Sequence, residues 1–323
     1  MNLKTLAELS GTSVATVSKA FSGAKDISTQ MREKIFSIAK ESNCFNKYYK
    51  GPREKPVIAL IFPESESEFY GRQIGLLERE IAKKGGDTVI AVTRFNAERE
   101  ERLFSELVYR MGVDGVILCG KGSLIKNADR IPLVVIGEYE NIDGADIVKS
   151  GYSDAMIDLI GLIKEYGHRE IGYIGERLTM HKIDKLKRAM RKHGLAVKDE
   201  YFVTTDARFG ASGEVGMKEL IERGRLPSVI VTGYDQIAFG AMSYAKSVGY
   251  KIPEDISFVG IDDIMAADYV GVPLTSLHLH FEDECEKIVD LLFKKIDNRH
   301  YKAREQIRVS TSINLRESLM KKA

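Results

Sequence analysis

GTSVATVSKAFSG (residues 11–23) is nearly uncharged, rich in small side chains, and lies well ahead of the first apolar run able to form a core strand. It follows NLKTLAELS (2–10), where Leu3, Leu6, Ala7 and either Leu9 or Ser10 recur at helical spacing and Asn2 is placed to cap the first turn. Gly11 breaks that helix. Ser13 can cap a second one carrying Val14, Val17, Ala20 and Phe21, in which Val17 and Phe21 form an apolar i, i+4 pair; Gly23 ends it. Ser28 can cap a third helix with Met31, Ile35, Ile38 and Ala39 as its inner stripe. Two short helices joined by a glycine turn, with a third to bury their apolar faces, make a helix-turn-helix unit.

The second helix has two different faces. Val17, Ala20 and Phe21 point inward. Val14, Ala15, Thr16, Ser18 and Lys19 point outward and are small or singly charged, so the helix can sink into a major groove. There Val14 and Ala15 can touch a thymine methyl, and Lys19 can donate to guanine. Ser13, Thr16, Ser18 and Ser22 can donate to phosphates, which fix register without reading sequence. Charge agrees with this: residues 1–55 hold ten Lys/Arg against five Asp/Glu, about +5, while the remainder is about −4. The competing reading is a small helical bundle with a Ser-rich turn and a solvated basic tail.

LKTLAELSGTSVATVSKAFSG (3–23) resembles the DNA-binding start of the lactose-repressor/galactose-repressor family. The resemblance rests on Leu6-Ala7, Gly11, Ser13, Thr16-Val17-Ser18 and Gly23. It implies that Val14, Ala15 and Lys19 read bases and that Ser13, Thr16 and Ser18 hold the backbone. Three positions depart from the family pattern: Lys19 replaces its usual Arg, a poorer bidentate partner for guanine, Thr5 its usual Asp, and Ser22 its usual Asn.

From Pro56 the pattern changes. VIALIF (57–62), TVIAV (88–92), GVILC (115–119), LVVIG (133–137), IGYIG (171–175), SVIVTG (228–233) and ISFVGID (256–262) are short apolar runs, as in strands buried on both faces. Helical stretches at 73–84, 98–111, 153–166, 181–193, 211–223, 235–248 and 282–297 alternate with them. This predicts an α/β, doubly wound fold with too many strands for one small sheet, hence two lobes around a cleft. Ligands in such sheets sit beyond the carboxyl ends of the strands. At 323 residues, 44% apolar and 29% charged, the chain is large enough for two or three domains. It has no run of the ~20 apolar residues a membrane span needs and no secretory segment. Cys44, Cys119 and Cys285 are odd in number and widely spaced, which reads as reduced cytosolic thiols. No phosphate loop, metal cluster or nucleophile elbow is present in the sequence, so no catalytic residue, metal or cofactor is expected.

GHREIGYIG (167–175), the run from 234 to 260 with IPEDISFVGIDD, and PLTSLHLHFEDECEKIVDLL (273–292) are similar to the same family's effector-binding core, which is related to periplasmic sugar-binding proteins. The resemblance implies a helix-turn-helix head (1–45), a linker (46–56) and a two-lobed core (57–323). Lobe one would be about 57–149 and 279–300, and lobe two about 150–278 and 301–323, with three crossings suited to a hinge. It places Asp262 against sugar hydroxyls, which a carboxylate at a strand end can accept; capping the following turn is the other reading. Phe69 and Tyr70 would offer aromatic faces to a sugar ring or else pack under the following helix. Phe209 is a further aromatic candidate. Tyr234-Asp235 replaces a usual Asn-Asp, and Lys149 stands near a customary acidic position. Ile183 or Asp184 falls where an Arg usually clamps ligand, with Lys182 and Arg188 nearby. These departures open the possibility of an anionic sugar derivative or a weakly responsive core.

The linker departs most. CFNKYYKGPREKPVIAL (44–60) lacks the Ala-Arg-x-Leu hinge helix that drives a leucine wedge into the minor groove, and Gly51, Pro52 and Pro56 oppose helix. Tyr48 or Tyr49 could replace the wedge; a solvated linker is the other reading. Lys47, Lys50, Arg53 and Lys55 could add phosphate contacts. The expectation is therefore a cytoplasmic homodimeric transcription regulator, a repressor binding a double-stranded DNA operator under control of a small sugar-like effector. The rival is a cytosolic sugar-sensing protein whose head no longer grips DNA.

Overall fold

The structure is a computed structural model. It describes every residue except 1, 23, 25, 43, 50–54, 126–127, 138–141, 143, 299, 302 and 323, and only the backbone of Asn46 and Lys47. The expected helix stop at Gly23, the expected linker breakers Gly51 and Pro52 and the phosphate contacts of Lys47, Lys50 and Arg53 lie outside the described residues and side chains.

The head contains α1 (Leu3–Ser10), α2 (Val14–Phe21), α3 (Thr29–Glu41) and the single turn α4 (Phe45–Tyr48). Each of the first three starts at its expected cap: the side chains of Asn2, Ser13 and Ser28 accept from the backbone N–H groups of Thr5, Thr16 and Met31. Gly11 closes α1 in the left-handed region at φ 67, where a side chain would be strained. Leu6, Ala7, Val17, Ala20, Phe21, Ile35, Ala39 and Cys44 form the buried core. Ser10, not Leu9, completes the inner face of α1.

The start of the expected linker belongs to this head. Phe45 meets Phe36 edge-on at 4.9 Å and stacks on Tyr49 at 4.8 Å, and Tyr48 approaches Phe21 at 5.9 Å. Tyr48 and Tyr49 thus pack against the head's aromatic side chains, with Tyr49 still 38% exposed.

The body holds two six-stranded sheets. The first contains β1 (Val57–Phe62), β2 (Asp87–Val92), β3 (Gly115–Cys119), β4 (Leu133–Ile136), β5 (Asp146–Ser150) and β11 (Gln306–Val309), in the order β11-β5-β4-β3-β1-β2. The second contains β6 (Ile171–Glu176), β7 (Phe202–Thr205), β8 (Val229–Thr232), β9 (Ser257–Asp262), β10 (Thr275–Leu279) and β12 (Thr311–Asn314), in the order β12-β10-β9-β8-β6-β7. All pairings are parallel except β10–β12. Helices α5 (Glu68–Lys83), α6 (Ala97–Ser105) and α11 (Phe281–Asp297) serve the first sheet. Helices α7 (Tyr152–Glu165), α8 (Met180–Lys192), α9 (Phe209–Glu222) and α10 (Asp235–Ser247) serve the second. The expected helix at 98–111 becomes π-helical over Glu106–Met111.

Two expectations shift. The run at 88–92 is an edge strand with Ile90 half exposed, not a strand buried on both faces. Residues 306–309, expected in lobe two, form β11 beside β5 in the first sheet, so the last crossing falls at Ser310. The crossings run side by side: Gly151 N–H donates to the Val309 carbonyl, and the His280 ring meets Ser312 Oγ at 3.1 Å. A side chain at Gly151 would press on the Val309 carbonyl.

Candidate functional site: a reading helix and an interlobe cleft

On α2 the helical period separates the faces as the sequence predicts. Val17, Ala20 and Phe21 are buried; Ala15, Ser18 and Lys19 are exposed, Val14 is 44% exposed and Thr16 is half-buried. Four of the polar candidates, Ser13, Thr16, Lys19 and Ser22, already have partners. Ser13 Oγ caps α2 and lies 2.9 Å from Thr16 Oγ1, while Ser22 Oγ donates to the Lys19 carbonyl. Lys19 Nζ is 2.5 Å from Asp26, whose carboxyl this hydrogen bond holds below its ordinary range. Nothing in the spacing of the sequence marked Asp26.

In the body, chemistry gathers at strand carboxyl ends. Asp262 closes β9, Glu176 closes β6, Glu64 follows β1 and Tyr234 follows β8. The non-glycine residues at positive φ among the described residues are Arg94 and Phe95 after β2, Phe209 at the start of α9, Asp262 at the end of β9 and Asp263 just beyond it. Such strain persists where surrounding contacts impose it and clusters at ligand sites.

Asp262 is 6% exposed, and burial pushes its carboxyl up to about 6 against the pull of Lys182, whose Nζ is 3.9 Å away. Among the described residues no hydrogen bond reaches its carboxylate. The capping role falls to its neighbours. Asp263 accepts from His278, Asn314 and Arg316, while fully buried Asp235 accepts from Ser276 Oγ and Ile264 N–H. Asp235 is held well above the usual carboxylate range by burial, and by Asp262 close by. Lys182 donates to the Gly233 carbonyl at 2.7 Å and stands over the Tyr152 ring.

Tyr234 OH accepts from Phe209 N–H at 2.9 Å, and the two rings lie 6.1 Å apart. Beside them Arg208 donates to both oxygens of Glu64, across the lobes, and to Glu176. Its guanidinium lies over Phe209 and Phe95, and Phe95 in turn meets Tyr70. Tyr70 (which also packs on the first-lobe core beside Phe62), Phe209 and Tyr234 are thus linked through rings and guanidinium around Arg208, while Asp262 lies beside Lys182. Phe69 follows the packing reading instead, against Phe281 at 5.1 Å. Lys149 sits in β5 opposite Arg308; among the described residues no hydrogen bond or ion pair joins it to this group. Arg188 is exposed on α8, away from the pair that Lys182 makes.

Sequence reasoning passed over Glu64, Phe95, Glu176 and Arg208. Glu64 and Glu176 had a usable signal, since each is a carboxylate at or just past the end of an apolar strand. Arg208 had none, because its partners come from both lobes. The described residues include no group of three His, Cys, Asp or Glu able to hold a metal ion, and no helix long and apolar enough to cross a membrane.

A small-residue reading helix on a three-helix core, followed by two parallel α/β lobes around a polar cleft, defines the class of DNA-binding regulators with a ligand-binding core. Residues 2–44 match the bacterial regulatory proteins of the lacI family, and residues 161–319 match the periplasmic binding protein-like domain. The ribose operon repressor of Haemophilus influenzae is 27% identical over 98% of both chains. A LacI-family transcriptional regulator from Silicibacter pomeroyi shares the fold at TM-score 0.76 with 19% identity, covering 99% of each chain. A LacI-family regulator from Enterococcus faecium with bound ribose shares it at TM-score 0.71 with 19% identity, over 83% of this chain and all of that one.

Proposed function

We propose that this protein is a cytoplasmic transcriptional repressor that reads a palindromic operator as a homodimer and answers to a small polyhydroxy effector bound between its lobes. The observation that carries the reading is the exposed crest of α2: Val14, Ala15 and Lys19 stand free of the head's core on a helix capped and packed from behind. Val14 and Ala15 contact bases, Lys19 donates to guanine, and Ser13, Thr16, Ser18 and Ser22 hold phosphates. In the cleft, Asp262 accepts from effector hydroxyls, with Tyr234, Phe209 and Tyr70 beside it. A related repressor named for the ribose operon and a neighbour holding ribose support a sugar-like effector. Lobe closure would change the spacing of the two heads, because the effector binds one arrangement better. The reading assigns no catalysis.

The test is selection of duplexes from a random pool with the full-length protein, followed by binding at increasing salt. A two-fold sequence with half-sites about one helical turn apart, bound with a steep salt dependence, is expected. No enriched sequence at micromolar protein overturns the repressor reading. Melting shifts with neutral sugars but no DNA binding would favour the sugar sensor instead.

A further inference from the structure

We propose that Arg208 is a resident occupant of the interlobe cleft: its guanidinium, gripped by Glu64 of the first lobe and Glu176 of the second, holds the lobes together without effector and decides which ligands fit beside it. Arg208 Nη1 and Nη2 donate to Glu64 Oε2 and Oε1 at 2.6 and 3.1 Å, a bidentate pair, and Nε faces the Glu176 oxygens at 3.3 and 3.4 Å. Glu64 and Glu176 are only 7% and 3% exposed. Aromatic contacts span the same gap, with the guanidinium 4.5 Å from the ring centroid of Phe209, its chain neighbour, and 5.6 Å from that of Phe95 in the first lobe. A second link lies nearby: Met265 N–H of the second lobe donates to Glu68 Oε1 of the first at 2.9 Å.

The arrangement is that of a bound cation whose ligand is part of the chain. A buried carboxylate left without its cation is strongly unfavourable, so a neutral sugar cannot take the place of Arg208. Such an effector leaves the clamp intact and binds at Asp262, whose carboxylate accepts no hydrogen bond among the described residues. A ligand that displaces the clamp has to carry an alkylguanidinium or similar planar cation, since only that satisfies two carboxylates and two aromatic faces at once. This inference goes beyond the repressor reading and rests on the cleft geometry alone.

The test uses the full-length protein without DNA or sugar, as wild type, Arg208→Ala and Glu64→Gln. Small-angle scattering and melting temperature are read with and without about 10 mM methylguanidinium, with guanidine-free amine as control. Both variants should have a larger radius of gyration and a lower melting temperature than wild type. Methylguanidinium should return Arg208→Ala towards the wild-type radius and raise its melting temperature by about 2 °C, while leaving wild type and Glu64→Gln unmoved. Should Arg208→Ala fail to fold, expansion of Glu64→Gln decides the matter alone. Variants as compact as wild type, absence of rescue in a folded Arg208→Ala, or an equal response in all three proteins overturns the proposal. Failure to bind any operator counts against the repressor reading only, because these readouts need no DNA.

Discussion

The carboxylate of Asp262 faces the ammonium of Lys182 at 3.9 Å, beyond hydrogen-bonding range, although both are largely buried. Lys182 spends its short contact on the Gly233 carbonyl. Asp262 thus keeps its acceptor capacity for something outside the chain, at the cost of a carboxyl pushed up to about 6.

This cost has a defined pH dependence. The folded value lies above the unfolded one, so the balance favours folding below about pH 4 and is lost as pH rises through about 6. Asp262→Asn should leave stability unchanged at about pH 3 and raise it by roughly 3 kcal/mol at about pH 7.5. Urea unfolding at the two pH values checks this; equal stability of variant and wild type at the higher pH contradicts it. The same variant should lose sugar-dependent thermal shifts, a stability–function exchange typical of binding sites.

A second carboxylate is buried for structure. Asp146 in β5 pairs with Lys295 of α11 at 2.5 Å and accepts from Glu305 N–H, tying β5, α11 and the approach to β11 together. Lys295→Met should destabilise the protein by about 3–5 kcal/mol, since it strands a fully buried charge. A drop in the urea midpoint is expected, and Asp146→Asn with Lys295→Met should recover part of it.

Helices α9 and α10 touch through glycine. A Cβ on Gly213 would come within 1.9 Å of the Ile237 carbonyl oxygen, and one on Gly240 within 1.8 Å of the Gly210 carbonyl oxygen. Both contacts are with backbone, which cannot swing aside. Gly213→Ala should therefore cost about 3 kcal/mol or more through overpacking. By contrast Gly75→Ala, on α5 with open space around its Cβ position, should be neutral or slightly stabilising. Thermal unfolding of the two variants separates these cases.

On the head, Lys19→Ala should relax preference at one operator position by about 1–3 kcal/mol and leave non-specific binding largely intact. A loss spread evenly over all sequences would make Lys19 a phosphate contact. Because Tyr48 and Tyr49 are packed against Phe21, Phe36 and Phe45, operator bending measured by energy transfer between labelled DNA ends should be small. A bend of the size produced by wedge-inserting proteins, about 80°, would contradict this account of the linker.

Legibility followed the range of the forces involved. Helical period alone separates Val17 from Val14, because a side chain's face depends on neighbours three and four residues away. The caps at Asn2, Ser13 and Ser28 are equally local. Strands β1, β3, β8 and β9 announce themselves as apolar runs, whereas β7, β11 and β12 are short and partly exposed and carry no such mark. Phe69 and Tyr70 are adjacent in sequence, yet one packs on Phe281 and the other turns to Phe95, a choice made by partners far along the chain.

By itself the amino-acid order determined the helix-turn-helix head, the outward crest of α2, and the alternation that builds two parallel lobes, since period and burial pattern act over a few residues. Only the tertiary structure decided that Arg208 spans the lobes to Glu64, that Asp262 is left unengaged while Asp263 is spent, and that Ser310 is the last crossing. Each of these depends on groups brought together from both lobes or from distant strands, and an ion pair or a sheet register exists only once the separate segments have packed.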